Sequence, residues 1–179
     1  YAEANFFVQQ ANDAPDALDF QVNTDEDSAV TFSFLDLGLV DPDVGDTHEV
    51  VDVSFIRSDT GSGHHIETGD LVDNGDGTFT YTPSADAQRL PGNGRASDFY
   101  NFTIEDASGA RDTARLLARV AGSDDPLTAA DDNAATDEDT GVLIDVLAND
   151  SDPDDGEGGT LLSVGTPANG TAVIQNGQI

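Results

Sequence analysis

An internal repeat constrains this chain more than any other feature. The motif TDEDS at residues 24–28 returns as TDEDT at residues 136–140, an offset of 112 residues. The same offset aligns Asn12-Asp13 with Asp124-Asp125, and the motif DPD at 41–43 aligns with DPD at 152–154 after one deletion. An ordered series of matches at one spacing indicates tandem copies of a single domain.

The phase of the repeat predicts three parts. Residues 1–11 are expected to be the last strand of a preceding copy, or a linker. Residues 12–123 are predicted to form one complete repeat, and residues 124–179 the first half of a second. We expect that first half to be unable to close a hydrophobic core by itself.

Short alternating runs separated by turn residues predict an all-β chain. The segment TFTYT alternates with period two, and the DNGDG segment at 73–77 is typical of a hairpin turn. About seven strands in roughly 110 residues fit an immunoglobulin- or cadherin-like Greek-key sandwich. The fold class is therefore predicted to be such sandwiches in tandem, with the second copy incomplete. The candidate strands are 17–22, 29–35, 49–56, 65–72, 78–82, 99–105 and 114–120.

Charge and composition exclude several classes of function. The formal net charge is −30, and the six cations are all arginine. Nucleic acid and anionic membrane surfaces are therefore disfavoured as partners. The chain has no cysteine and no apolar run of about 20 residues, so disulfides and membrane insertion are not expected. Because the sequence does not begin with Met, we expect a piece of a longer or processed protein, secreted and braced by metal ions rather than by disulfides.

The strand order predicts that acidic segments meet at the junction between repeats. If successive strands alternate in direction, the turn after the first strand lies beside the linker that leaves the domain, and the next copy's B–C loop faces it. Converging carboxylates repel, whereas Ca²⁺ is coordinated by 6–8 oxygens at about 2.3–2.6 Å. The alternative is that each acidic turn is only solvated, but repetition in register favours a calcium site. The residues expected to converge are Asp25, Glu26, Asp27, Asp124, Asp125, Asp150, Asp152 and Asp154.

Several motifs together resemble a known family. NDAP (12–15), the TDED motifs, VLANDSDPDDGEGGTL (146–161), NGDGTFTYTP (74–83) and DFYNFTIEDASGA (98–110) resemble the cadherin-like tandem repeats of bacterial RTX- and VCBS-type surface adhesins. That resemblance implies secreted calcium-binding spacers that carry an adhesive domain away from the cell. The ligands that it implies are Asn12, Asp13, Glu26, Asp41, Asp43 and Asp106, and around the second repeat Asp124, Asp125, Glu138, Asp152 and Asp154. The first copy departs from the pattern, since it lacks an equivalent of Asp150.

These patterns favour a non-enzymatic spacer in adhesion over three alternatives. One alternative is a filament subunit in which strands are exchanged with other copies of the chain, because residues 1–11 and 124–179 look like a donor and an acceptor. The others are a carbohydrate- or surface-binding module and a non-catalytic appendage of an extracellular enzyme. Glycoside hydrolysis needs a cleft and a carboxyl of raised pKa, which crowded exposed loops do not suggest. Arg111, Arg115 and Arg119 are predicted to share one strand face and to screen acids rather than bind an anion.

Overall fold

The structure is a computed structural model that describes residues 11–43, 45–59, 68–154 and 156–179. The predicted strand in residues 1–11 therefore lies outside the described residues except for Ala11. The same is true of the first three residues of the predicted strand 65–72.

The first repeat contains nine strands and two short helical turns in the described part of the chain. Their bounds are β1 Asp16–Ala17, β2 Phe20–Asp25, β3 Val30–Phe32, α1 Phe34–Leu37, β4 Leu39–Val40, β5 His48–Asp59, β6 Gly69–Asp73, β7 Phe79–Pro83, a 3₁₀ turn Ala85–Arg89, β8 Arg95–Asp106 and β9 Arg111–Ala121.

Two open sheets form the sandwich. One has the strand order β2-β9-β8-β5, the other has the order β3-β7-β6, and β1 and β4 form a small antiparallel pair. Within the four-stranded sheet β2 runs parallel to β9, while β8 is antiparallel to both β9 and β5. This parallel pair follows from strands that alternate in direction, since the first and the last of seven then point the same way. The all-β immunoglobulin/cadherin-like class is confirmed.

The core lies between the sheets and is dominated by aromatic rings. Strand β8 alternates strictly, so that every second side chain from Ala96 to Ile104 is buried. Phe34 is fully buried and packs edge-on against Phe79 with 4.7 Å between ring centroids, and it lies 4.6 Å from Phe102. Such ring pairs add about 0.5–1.5 kcal/mol each beyond the area that they bury.

One carboxylate lies in the core with its hydrogen bonds satisfied. Asp98 is fully buried on the inward face of β8 and accepts hydrogen bonds from the hydroxyls of Ser58, Thr68 and Tyr81. Burial, followed by the hydrogen bond to Asp98, raises the pKa of Tyr81. A buried polar group is tolerated when hydrogen-bond donors replace water, so this cluster connects β5, β7 and β8.

Some predicted strand bounds differ from the structure, and the predicted strand 17–22 is divided into β1 and β2. The strand predicted at 29–35 ends at Phe32, because Ser33 caps a helical turn that delivers Phe34 to the core. Strand β8 begins at Arg95, four residues before the predicted 99, and pairs with β9 along its whole length. Described residues beyond Ala121 form only isolated bridges, and none of them belongs to the buried core cluster.

Candidate metal centre

The TDED turn directs one of its three acids inward. The amide of Ser28 donates to the carbonyl of Asp25, and Thr24 Oγ1 donates to the carbonyl of Ser28 at 2.5 Å. Glu26 is consequently only 3% exposed, whereas Asp25 and Asp27 remain exposed. The second copy repeats this turn: Thr136 Oγ1 donates to the carbonyl of Thr140 at 2.9 Å, and the amide of Thr140 donates to the carbonyl of Asp137.

Glu26 is anchored to the linker that leaves the first repeat. Its amide donates to the carbonyl of Ala121 at 3.0 Å, and the amide of Ser123 donates to its Oε1 at 2.8 Å. Gly122 lies so close to the preceding loop that an added Cβ would stand 2.3 Å from the carbonyl oxygen of Pro91. The linker is therefore fixed by backbone contacts on the side of the first repeat.

The second repeat approaches the same linker from the other side. The amide of Asp125 donates to Asp154 Oδ2 at 2.9 Å, and the amide of Asp154 donates to Asp152 Oδ1 at 3.0 Å. Asp154 is 3% exposed. The DPD motif thus forms a compact turn whose last carboxylate is turned toward Glu26.

Carboxylates from both repeats meet at this point. Glu26, Asp125 and Asp154 each offer an oxygen, and these three oxygens lie within 4.8 Å of one another. Asp154 also belongs to a second such group with Asp124 and Glu157. Glu26 Oε2 and Asp154 Oδ1 are buried, and neither has a hydrogen-bond partner among the residues that the structure describes. Two buried, acceptor-only oxygens without donors in one cluster are the arrangement that a cation would satisfy.

The pKa values of the carboxyl groups at the junction are raised by the same crowding. Burial is the largest cause of the raised pKa of Glu26, and the charges of Asp125 and Asp154 raise it further, against a lowering hydrogen bond from Ser123. Burial followed by repulsion from Asp154 raises the pKa of Asp125, and burial followed by repulsion from Asp124 raises that of Glu157. The junction is thus a region of uncompensated negative charge.

The loops around the linker Asn12-Asp13, which enters the first repeat, form the same pattern of hydrogen bonds. The amide of Asp13 donates to Asp43 Oδ2 at 2.7 Å, and the amide of Asp43 donates to Asp41 Oδ1 at 2.7 Å. Asn12 Nδ2 donates to Asp106 Oδ2 at 2.8 Å. This bond, with further donors from Ser108 and the amide of Ala110, lowers the pKa of Asp106 to about 2. The structure therefore brings together five of the residues that the family resemblance implies as ligands, namely Asn12, Asp13, Asp41, Asp43 and Asp106.

A histidine distinguishes the first copy from the second. Asp41, Asp46 and His48 form a group with one ligand atom each within 4.8 Å, and His48 Nε2 lies 2.7 Å from Asp41 Oδ2. The hydrogen bond with His48 is the main cause of the lowered pKa of Asp41. Gly159 occupies the equivalent position in the second copy.

Some of the predicted site residues stand apart from these groups. Asp25 and Glu138 are exposed and belong to none of the ligand groups found among the described residues. Asp27 accepts a hydrogen bond from Gln88 Nε2, and Asp152 serves as a cap for the amide of Asp154. The carboxylate of Asp150 accepts a hydrogen bond from the amide of Ala130. At the equivalent place in the first copy, the amide of Leu18 donates instead to the backbone carbonyl of Gly38.

Asp46 and Glu157 were missed by the sequence reasoning. After the one-residue deletion they occupy equivalent positions, three residues beyond the last Asp of each DPD motif. An acid in both copies at this position was the signal that could have found them.

An all-β sandwich that shares an acidic junction with a following repeat defines a tandem surface-repeat module. A sequence profile described as the bacterial cadherin-like domain matches residues 12–122, and the chain belongs to that family. A profile of the bacterial Ig domain matches residues 123–179. The resemblance to cadherin-like and Ig-like repeats of bacterial surface proteins is thereby confirmed.

These families also set the broad context. Such domains are typically non-catalytic structural modules, usually of extracellular surface proteins. No curated protein matches the chain. Among the described residues no helix has the length and apolar character needed to cross a membrane.

Proposed function

We propose that the chain is a calcium-stabilised repeat segment of a secreted or cell-surface bacterial adhesin, where it acts as a rigid, non-catalytic spacer. Its main partners are then the neighbouring repeats of the same protein. The observation that carries this proposal is the pair of buried oxygens, Glu26 Oε2 and Asp154 Oδ1, which come from two successive repeats and have no donor in the described part of the chain.

The donor set supports calcium over other cations. Glu26, Asp125 and Asp154 offer only carboxylate oxygen, and Asp124 and Glu157 extend the set through Asp154. Ca²⁺ accepts six to eight oxygens in flexible geometry, whereas Mg²⁺ demands a strict octahedron and Zn²⁺ prefers His or Cys. A bound Ca²⁺ would neutralise these carboxylates and connect the two repeats.

The rigidity of the junction follows from where these ligands are attached. Glu26 is held by the first repeat and by the linker, while Asp154 is held by the second repeat and by the amide of Asp125. A cation that draws Glu26 and Asp154 together therefore restrains the angle between the repeats. Without it, the carboxylates of Glu26, Asp125 and Asp154 repel one another across this point.

Calcium titration tests the proposal. We expect the melting temperature to rise with calcium, and we expect small-angle scattering to report a longer, stiffer particle in calcium than in chelator. Glu138→Gln is the matched control for Glu26→Gln, because Glu138 occupies the same place in the second TDED turn but is exposed and outside the ligand groups. An unchanged melt in excess chelator would overturn the proposal.

A further inference from the structure

The two sheets of the first repeat differ in width, and one flank of the sandwich is open as a result. The sheet β2-β9-β8-β5 has four strands, whereas the facing sheet β3-β7-β6 has three. Strands β5 and β6 are edge strands on this flank. Within the described part of the chain, each of them is hydrogen-bonded to another strand on one side only. Such an edge is a place where a strand from another chain can add.

An apolar cleft of about 430 Å³ lies between these two edge strands, and we call it the β5–β6 cleft. Phe55 is paired with buried Tyr100, so its side chain lies on the inner side of the four-stranded sheet, yet Phe55 remains 53% exposed. No described strand of the narrower sheet covers it. The apolar residues that line the cleft are Val50, Val51, Val53, Phe55, Leu71, Phe79 and Tyr100.

The hydrogen bonds at the two ends of β6 determine which of its amides are open. At one end the amide of Ser84 donates to the carbonyl of Thr68, and at the other end the amide of Asn74 donates to the carbonyl of Thr78. Hydrogen-bonded and non-hydrogen-bonded pairs alternate along an antiparallel ladder. These two pairs therefore fix the alternation for the whole ladder between β6 and β7.

This alternation leaves a regular backbone edge on β6. Asp70 and Val72 bond to β7, whereas the amides of Leu71 and Asp73 face away from it, toward the open flank. Strand β5 is less suitable as an acceptor, because its register shifts twice along its length. An added strand is therefore expected beside β6, where it would also lie over the cleft.

The charged residues that line the cleft and its continuation along β6 are all acidic. They are Asp52, Asp70 and Asp73, and each of them is exposed. Arg57 lies on the outer face of β5 instead, 3.6 Å from Asp59. A second copy of the chain, with its formal net charge of −30, is repelled by such a surface, whereas a basic segment is attracted to it.

We propose that β6 binds an extended, basic segment of another protein, which adds a fourth strand to the narrower sheet and covers the β5–β6 cleft. Alternate side chains of this segment are apolar and pack against Phe55 and Leu71, because side chains of a strand point to opposite faces in turn. Lysine or arginine at the intervening positions pairs with Asp52 and Asp70. Backbone hydrogen bonds to Leu71 and Asp73 supply affinity, and the alternating pattern supplies specificity. The inference does not depend on calcium, because this surface is separate from the junction.

Titration with the synthetic peptide acetyl-(Lys-Val)₃-Lys-amide tests the inference. The control is the same peptide with every backbone nitrogen methylated, which keeps the charges and side chains but cannot donate backbone hydrogen bonds. We expect the unmodified peptide to bind one saturable site in calcium and in chelator, and the methylated peptide to bind roughly tenfold more weakly or less. Amide hydrogen exchange followed by NMR locates the site: exchange should slow at Leu71 and Asp73, and change little at Asp70 and Val72, which already bond to β7.

A pair of matched variants tests the apolar contact. Phe55→Ser removes the exposed ring from the cleft, and we expect about a tenfold loss of peptide affinity. Leu143→Ser is the control, because Leu143 is 59% exposed but lies in the second repeat. It should bind the peptide like the wild type. Melting temperatures near that of the wild type confirm that both variants are folded.

A second pair of variants separates local from overall charge. Asp52→Asn/Asp70→Asn removes two acids beside the cleft, and Asp131→Asn/Asp132→Asn removes two exposed acids in the second repeat. We expect only the first double variant to lose affinity for the peptide, by a few-fold to about tenfold.

Four results would overturn the inference: no binding of the peptide, equal binding of the methylated peptide, equal losses within either pair of variants, or unchanged exchange at Leu71 and Asp73. Sedimentation velocity without peptide supplies a fifth. Self-association of the chain that Phe55→Ser abolishes would make the cleft a contact between copies, contrary to the inference.

Discussion

Glu26→Gln is expected to change stability in opposite directions with and without calcium. In the ion-free protein Glu26 is buried close to Asp154, and its pKa is raised by burial and by neighbouring charges. Glutamine keeps an oxygen for the amide of Ser123 and replaces the unpartnered oxygen by an NH₂ group that can donate to Asp154. The substitution therefore removes repulsion from the ion-free junction but also removes a ligand of the proposed calcium site.

The separation of the charges sets the size of both effects. Two unit charges at the 4.8 Å limit of the group repel by about 0.9 kcal/mol in water and about 3.5 kcal/mol at an effective dielectric constant of 20. We take about 1 kcal/mol as the gain of Glu26→Gln in chelator, which is roughly 4 °C for a domain of this size. Calcium at 100 times its dissociation constant stabilises the wild type by about 2.7 kcal/mol, whereas a variant bound 100-fold more weakly gains about 0.4 kcal/mol.

The assay is thermal unfolding of wild type, Glu26→Gln and Glu138→Gln over a calcium series that begins in excess chelator. We expect the curves of melting temperature for wild type and Glu26→Gln to cross, with the variant about 4 °C higher without calcium and about 5 °C lower at 100 times the wild-type dissociation constant. Glu138→Gln should follow the wild type throughout. The reasoning is refuted if Glu26→Gln is destabilised equally in chelator and in calcium, since that result describes a structural residue and not a ligand.

Three further predictions concern proton linkage and the core. In chelator, the raised pKa of Glu26 means that protonation of Glu26 favours the folded state, and this stabilisation is complete below pH 4.5 and is lost as the pH rises through the raised pKa. The stability advantage of Glu26→Gln should therefore disappear near pH 4 and grow toward pH 7, which thermal melts across that range measure. An advantage that stays constant with pH would contradict this prediction. Tyr81→Phe removes one of the three hydroxyl donors to buried Asp98, and we expect the free energy of unfolding by denaturant to fall by about 1–3 kcal/mol. An unchanged free energy of unfolding would show that this hydroxyl does not stabilise the fold. Gly69→Ala would place a Cβ 2.5 Å from the carbonyl oxygen of Thr82, so we expect the free energy of unfolding to fall by about 1–3 kcal/mol in the same measurement. Gly75→Ala is the comparison, because it tests the cost of a positive φ at a position where the added Cβ has space.

The repeat made much of the fold predictable from the sequence. The alignment of the two TDED motifs predicted equivalent turns in both copies, and each turn contains the same hydrogen bond from a threonine hydroxyl to a backbone carbonyl. Alternation predicted that the arginines of β9 share one face, because strand side chains point to opposite faces in turn, and the structure shows that this face is the exposed one. The helical turn at Phe34 was missed because the packing of Phe34 in the aromatic core outweighs the β propensity of the residues that precede it.

The site was predicted less completely, because sequence spacing does not say where a side chain points. Asp25, Glu26 and Asp27 are consecutive, yet of the three only Glu26 is buried and accepts a hydrogen bond from the described part of the linker. Asp150 and Asp154 belong to one loop, but Asp150 caps an amide while Asp154 enters the group with Glu26. Local hydrogen bonds compete for carboxylates, and only three-dimensional geometry decides which of them remain for a cation.

The repetition of the TDED turn extends the argument from one junction to an array. Glu138 occupies the position that Glu26 holds in the first copy, and the hydrogen bonds of its turn are the same. If a third repeat with its own DPD loop followed, the last aspartate of that loop would therefore lie near Glu138, as Asp154 lies near Glu26. Each junction is then a separate binding equilibrium, and the stiffness of a long array depends on the fraction of junctions that are filled. Because a single unfilled junction is enough to bend a rod, the length over which the array stays straight should fall much more steeply with calcium than the stability of any one repeat.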